Sequence, residues 1–321
     1  MEKSLSSSYF AQINTLASLQ FMPGERPYID RPAAAGERKD LLLYLGCNVL
    51  RTAHLAKTAV DVLRAMGFDF NTAGGPAHCC GIIHHRNNDP ESARAVAAKS
   101  MQHFARYGAT HVLMLCPSCN EYYDEVLAKD QEIPFSYEHV TAFIARNLAR
   151  VRFTRRIERR VAIHHHAGHA QSMLDLQNAC KILRASPGIE VMGLESEASS
   201  GRHCSRKWIA EVGQPHWQAT IVRLLEAAKD ARVDAVVNVY HSCQRELCAY
   251  EADFPFAIVN YLSVLGEAMG IEHVDHYKAW KLKAEVDSIF EEVRHHVEAS
   301  HLDPVRVRNV LRETFAPCHS E

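Results

Sequence analysis

A single step of 124 residues carries Cys79-Cys80-Gly81 onto His203-Cys204-Ser205, and Cys116-Pro117-Ser118-Cys119 onto Tyr240-His241-Ser242-Cys243. The interval from Cys80 to Cys116 therefore equals that from Cys204 to Tyr240. The helix and strand patterns between these points also correspond. Shared flanks at a shared interval mark a duplicated domain.

Each copy alternates short apolar runs with helical stretches. LLLYLG (41–46) reads as a buried strand, 48–66 as a helix stopped by Gly67, and 68–70 as a second strand. Asp89 as N-cap and Pro90 at the first helical position open a helix that runs to Tyr107. Strands follow at 111–116 and 133–137, with a helix to about 149. After the basic junction 150–160 the pattern restarts. Strands are expected at 161–165, 189–194, 233–240 and 256–262, and helices at 171–185 and 207–228. The tail 276–315 reads as two helices. Such alternation gives an α/β fold with largely parallel sheets.

The chain has 321 residues, 47% of them hydrophobic, so a substantial core is within reach. Its net charge is −2 and, beyond the short basic junction at 150–160, it has no run of basic residues, so nucleic acid is not the expected partner. No apolar run reaches the roughly 18–20 residues that a membrane span needs. The N-terminal stretch lacks an apolar h-region and a cleavage site, so a cytoplasmic protein is expected. The ten cysteines then point to metal binding or redox chemistry rather than to a disulfide scaffold. LGCNVL after the first strand offers one glycine, so direct binding of NAD or FAD is not expected.

Half of the cysteines fall in the first repeat: Cys47, Cys79, Cys80, Cys116 and Cys119. Cys47 follows the first strand and Cys116 the third, and strand ends of a parallel sheet share the edge where ligands gather. Soft thiolates select zinc, copper(I) or iron–sulfur clusters. Five exceed the four ligands of a structural zinc and point to a cluster of several irons. Cys180, in a predicted helix, and Cys318, in the tail, read as inert, and Cys248 as incidental.

The pattern Cys47-x31-Cys79-Cys80-Gly81-x34-Cys116-Pro117-x-Cys119 resembles the cysteine-rich CCG domain. That domain occurs twice in the catalytic B subunit of heterodisulfide reductase, and in relatives serving glycolate, lactate and succinate:quinone oxidoreductases. The resemblance covers roughly residues 41–275. It implies two tandem pseudo-symmetric CCG domains, at 41–155 and 156–275, with an N-terminal arm (1–40) and a C-terminal helical tail (276–321). It also implies one noncubane 4Fe–4S cluster held by Cys47, Cys79, Cys80, Cys116 and Cys119. His78, His84 and His85 flank that loop as candidate donors to cluster sulfurs. His54, His103 and His111 read as ordinary helix or strand histidines.

The second repeat departs from this pattern. His203, Ser205 and Tyr240 stand where a cysteine, the glycine and another cysteine would be. After its first strand comes HHHAGH (164–169), with His166 or His169 as the counterpart of Cys47. Three readings stay open: an empty structural site; a single ion such as zinc; or substrate handling. The ion would bind through Cys204, Cys243 and histidines drawn from His164, His166, His169 and His203. The substrate reading takes Cys204, Cys243, His166 and His203 as catalytic candidates.

By resemblance, the chain is an iron–sulfur subunit of a heterodisulfide reductase-like complex, similar to the second B-type subunit of sulfur-oxidising systems. Flavoprotein A-type and ferredoxin-like C-type subunits would be its partners, with a lipoate-carrying protein as sulfur carrier. The alternatives are an iron–sulfur subunit of a lactate or glycolate oxidoreductase and a zinc-stabilised assembly subunit without redox role.

Overall fold

The computed structural model describes residues 5–25, 38–193, 199, 201 and 203–316. Cys318 and the end of the expected strand at Leu194 lie outside the described residues. Among the described residues, eight strands form two four-stranded sheets. β1 (Leu41–Gly46), β2 (Asn71–Gly74), β3 (His111–Met114) and β4 (Ser136–His139) are ordered β2-β1-β3-β4. β5 (Arg159–His164), β6 (Ile189–Val191), β7 (Ala235–Asn238) and β8 (Ala257–Asn260) repeat that arrangement as β6-β5-β7-β8. Every pairing is parallel. The α/β fold with two pseudo-symmetric parallel sheets is as the alternation predicts.

Continuous apolar runs explain the central strands. Leu42, Leu43, Tyr44 and Leu45 are buried in succession, as are Ala235, Val236 and Val237, because a parallel strand covered by helices meets protein on both faces. In each sheet the order reverses beside the first strand: β2 lies on one side of β1, and β3 with β4 on the other. The chain diverges there and leaves a crevice beyond the carboxyl ends of β1 and β3. Cys47 directly follows β1 and Cys116 follows β3 by one residue. The same crevice in the second sheet opens beyond β5 and β7.

Two compact units result. One draws on Met1–Ala56, Asp69–His139 and Asp275–Glu321, the other on Lys57–Phe68 and Val140–Val274. In the first unit, the arm is more than a solvated extension. Residues Leu5–Ser18 form a helix, with Ile13, Leu16, Ala17, Leu19 and Phe21 buried, and it packs against the helix Pro304–Phe315. The tail contains four helices rather than two: His276–Lys283, Val286–Glu292, Arg294–Ala299 and Pro304–Phe315. Ala284 and His301 take positive φ at two of the breaks, a backbone state that no helix continues through. Tyr277, Trp280 and Phe315 hold the tail together by edge-on ring contacts.

Other boundaries shift for local reasons. The second strand begins at Asn71, not Phe68, whose ring lies 4.7 Å from that of Phe143. The expected helix 207–228 is two, Arg206–Val212 and Gln214–Asp230, broken at Gly213 ahead of Pro215. No helix among the described residues is long and apolar enough to cross a membrane.

Candidate metal centres

The five cysteines of the first repeat are all buried. Cys47 caps the turn Asn48–Arg51, Cys79 ends the turn Pro76–His78, and Cys116 caps the helix Pro117–Tyr122 that carries Cys119. Their side chains adjoin in a row: Cys47 to Cys79, Cys79 to Cys80, Cys80 to Cys119, Cys119 to Cys116. The hydrogen bond from Cys47 holds Cys79 well below the usual thiol range. That same bond, with burial, pushes Cys47 well above it. The thiolate is thus favoured at Cys79, the second of the row, and disfavoured at Cys80 beside it.

Two glycines make room for the row. A Cβ on Gly46 would stand 2.9 Å from Cys116 Cβ and 3.1 Å from Cys119 Sγ, so a bare backbone here is what admits these side chains. Gly81, at φ +99°, donates its N–H to Cys79 Sγ at 3.4 Å. Tyr44, buried on β1, donates its hydroxyl to His78 O at 2.5 Å and accepts from the Cys119 thiol at 3.8 Å. Sequence reasoning missed Gly46 and Tyr44. The available signal was a glycine standing between an apolar strand and a cysteine.

Each flanking histidine has a contact outside the row, and His84 also lies near enough to lower the Cys79 thiol electrostatically. His78 Nδ1 lies 3.0 Å from Gly74 O, His84 Nδ1 lies 3.9 Å from Asp89, and His85 packs its ring against Tyr122. His54 Nδ1 meets Asp275 at 3.3 Å and His111 bridges Ser136 and Glu138.

In the second unit, sheet pairing fixes a register that the sequence left ambiguous. His111 and Ala235 are 124 apart, whereas their β1 and β5 partners, Leu41 and Val161, are 120 apart. Tyr44 therefore corresponds to His164 and Gly46 to His166. Ala167, not His166 or His169, answers Cys47. The two imidazoles thus arise at positions that hold no cysteine in the first repeat.

These imidazoles meet the two remaining thiols. His164, His166, Cys204 and Cys243 place one donor atom each within 4.8 Å of all the others. Cys204 Sγ is 3.5 Å from His164 Nε2 and 3.5 Å from His166 Nε2, and Cys243 Sγ is 3.4 Å from His166 Nε2. The Cys204 amide donates to Cys243 Sγ at 3.5 Å. A parallel bridge between His166 and Ser199 ties the histidine loop to the segment before Cys204. Burial pushes the Cys243 thiol up, but the hydrogen bond from Cys204 and the adjacent imidazoles outweigh it and leave the thiol well below its usual range. Burial also lowers His164, keeping its ring neutral and able to ligate.

The other second-site candidates stay apart. His169 caps the helix Ala170–Ala185 through Gln171 N. His203 is buried, with its ring 6.4 Å from that of Tyr240. Cys248 bonds Arg245 O, and Cys180 is partly exposed on its helix.

Tyr240, which replaces the third-strand cysteine, belongs to a different network. Its hydroxyl donates to Asp175 Oδ2 at 2.7 Å, while Thr141 Oγ1 and Gln171 Nε2 donate to Oδ1 at 2.6 and 3.0 Å. Asp175 is buried on the inner stripe Ser172, Asp175, Ala179, Ile182 and Leu183 of its helix. An acid within an apolar helical stripe was the signal that sequence reasoning passed over. Asp175→Ala leaves the buried hydroxyls of Tyr240 and Thr141 without this acceptor, at about 1–3 kcal/mol each. The urea midpoint should fall by an amount equivalent to about 2–6 kcal/mol. A loss below about 1 kcal/mol would show that other partners satisfy both hydroxyls.

Comparison with solved structures gives distant likenesses. An aspartate racemase homologue from Pyrococcus horikoshii aligns over 72% of this chain and 99% of its own, at 12% identity and a TM-score of 0.32. A hypothetical protein from Helicobacter pylori aligns over 87% of this chain and 57% of its own, at 12% identity and a TM-score of 0.47. No curated protein matches the sequence. Residues 41–121, which carry all five thiols of the first centre, match the family model of the CCG cysteine-rich domain.

Proposed function

We propose that this protein is the iron–sulfur subunit of a heterodisulfide reductase-like complex that oxidises thiol or sulfane-sulfur groups. One noncubane 4Fe–4S cluster would be held by Cys47, Cys79, Cys80, Cys116 and Cys119. The observation that carries this reading is the row of five buried thiols at the switch point of the first sheet, within the matched cysteine-rich segment. Among the described residues, the donors drawn onto a single point are those of the second unit. A row of thiols suits a framework of several metal atoms, and soft sulfur ligands suit iron–sulfur chemistry.

When bound, such a cluster supplies one-electron transfer. The chain's own part is to hold it and keep water out. The Gly81 N–H aimed at Cys79 Sγ favours the thiolate form and raises the potential of a cluster bound there. Oxidation of a dithiol to a disulfide releases two electrons and two protons. With no dinucleotide fingerprint in the chain, those electrons pass to partners, which we assign as ferredoxin-like and flavoprotein subunits, with sulfur delivered on a lipoate arm. Tyr240 and the histidines of the second unit leave no second row of thiols, so symmetric cleavage of a disulfide between two clusters is not its chemistry.

Anaerobically purified protein should be brown and contain about four iron and four sulfide per chain, one cluster's worth. A colourless protein without sulfide would reject the proposal. Co-purification with an FAD-linked hydroxyacid oxidase, rather than a lipoate protein, would move the assignment to the lactate or glycolate class.

A further inference from the structure

We infer that His164, His166, Cys204 and Cys243 form a closed structural zinc site, separate from the cluster site and independent of it. The distances are those of a tetrahedron around one ion. With Zn–S at about 2.3 Å and Zn–N at about 2.0–2.1 Å, a sulfur and a nitrogen on adjacent corners are separated by about 3.5–3.6 Å. Three of the four Sγ···Nε2 separations are 3.5, 3.5 and 3.4 Å, and all four donor atoms lie within 4.8 Å of one another. Each imidazole presents Nε2 to a thiol, and His166 Nε2 faces both.

The donor set selects the metal. Two thiolates and two imidazoles form one of the common structural zinc sets. No carboxylate belongs to the group, which disfavours magnesium, calcium and manganese, and tetrahedral placement disfavours copper(II) and nickel(II). The same four residue types also hold Rieske two-iron clusters, but there the cysteines bind one iron and the histidines the other. That division would set the sulfurs and nitrogens on opposite sides of the cluster. Here they alternate at contact distance, which fits one ion and leaves no room for two.

Burial makes the site structural rather than catalytic. The four ligands are no more than 2% exposed, and four protein donors leave no open position for water or substrate. They come from the end of β5, the loop after it, the loop before the helix Arg206–Val212, and the helix His241–Leu247. One ion would therefore clamp the segments that border the crevice of the second sheet.

The test uses the full chain, expressed with added zinc and purified anaerobically, with metals measured by mass spectrometry and the zinc shell by X-ray absorption. We expect about one zinc per chain, in a shell of two sulfurs at about 2.3 Å and two nitrogens at about 2.0–2.1 Å. Cys243→Ser should lower zinc at least tenfold and leave iron unchanged, whereas Cys79→Ser should leave zinc unchanged. If Cys243→Ser does not fold, the wild-type shell decides alone. Absence of zinc, an all-sulfur shell, zinc retained after Cys243→Ser, or a Cys204–Cys243 disulfide in its place would each overturn the inference. Failure of the cluster proposal would show in iron and sulfide, and would leave this zinc count as it stands.

Discussion

Cys79→Ser and Cys80→Ser proteins, prepared without oxygen, will retain under a tenth of the wild-type iron and sulfide while their far-UV dichroism is unchanged. Cys79 and Cys80 are the middle of the row that runs from Cys47 to Cys116, so losing either divides the ligand set. A serine oxygen is a hard donor with a poorly accessible anion, and iron in a sulfide cluster prefers thiolate. The fold should tolerate the change, because serine is nearly isosteric and the sheet beside it is closed by Leu42, Leu43 and Val112. Iron and sulfide at wild-type levels in both variants would remove this loop from the cluster site.

The parts of this molecule that were legible in the sequence are those encoded by spacing. Leu41 to Leu45 and Ala235 to Val237 are unbroken apolar runs, so their strands could be read, and the repeat gave their equivalence. Residues 5–21 were harder, since Ser6, Ser7 and Ser8 open the helix and its buried positions Ile13, Leu16 and Ala17 sit among polar neighbours. Their burial depends on a partner helix about 300 residues away in the chain, Pro304–Phe315, which no local pattern announces. The five thiols of the first centre could be listed from their spacing. The histidines of the second could not be assigned, because the insertion between β5 and Cys204 shifts the register from 120 to 124, and only strand pairing reveals where the shift falls.

Gly81→Ala should have the largest effect on stability of any single methyl added to this chain's cluster loop. The new Cβ would lie 2.3 Å from Ala93 O and 3.0 Å from Ala93 C, at a φ of +99°. The obstacle is backbone inside the helix Pro90–Arg106, so no side chain can turn aside to relieve it. The left-handed conformation costs about 1–2 kcal/mol and the forced displacement about 1–3 kcal/mol. We expect a loss of about 2–5 kcal/mol, together with loss of cluster iron, because the displaced loop carries Cys79 and Cys80. Gly67→Ala separates the two costs: Gly67 has a similar positive φ of +78° but open space around its Cβ position. That variant should lose only about 1–2 kcal/mol and keep its iron. Equal losses in the two variants would mean that the contact with Ala93 relaxes freely.

The correspondence of His166 with Gly46 bears on whether the second repeat can ever be returned to a five-thiol form. Even a methyl at the Gly46 position meets Cys116 Cβ at 2.9 Å, and His166 brings a whole imidazole there. Restoring cysteine at 203 and 240 would leave the His166 imidazole, whose Nε2 lies 3.4 Å from Cys243 Sγ, standing among the thiols. The second change would also take the Tyr240 hydroxyl from Asp175, costing stability before any ligand set is complete. A five-thiol form would need cysteine at 167, 203 and 240 beside Cys204 and Cys243, with His166 removed, and the change at 240 costs stability unless Asp175 is replaced with it. The second repeat is therefore held in its present state as by a ratchet, and an attempt to engineer a second cluster should begin with His166→Gly rather than with any cysteine.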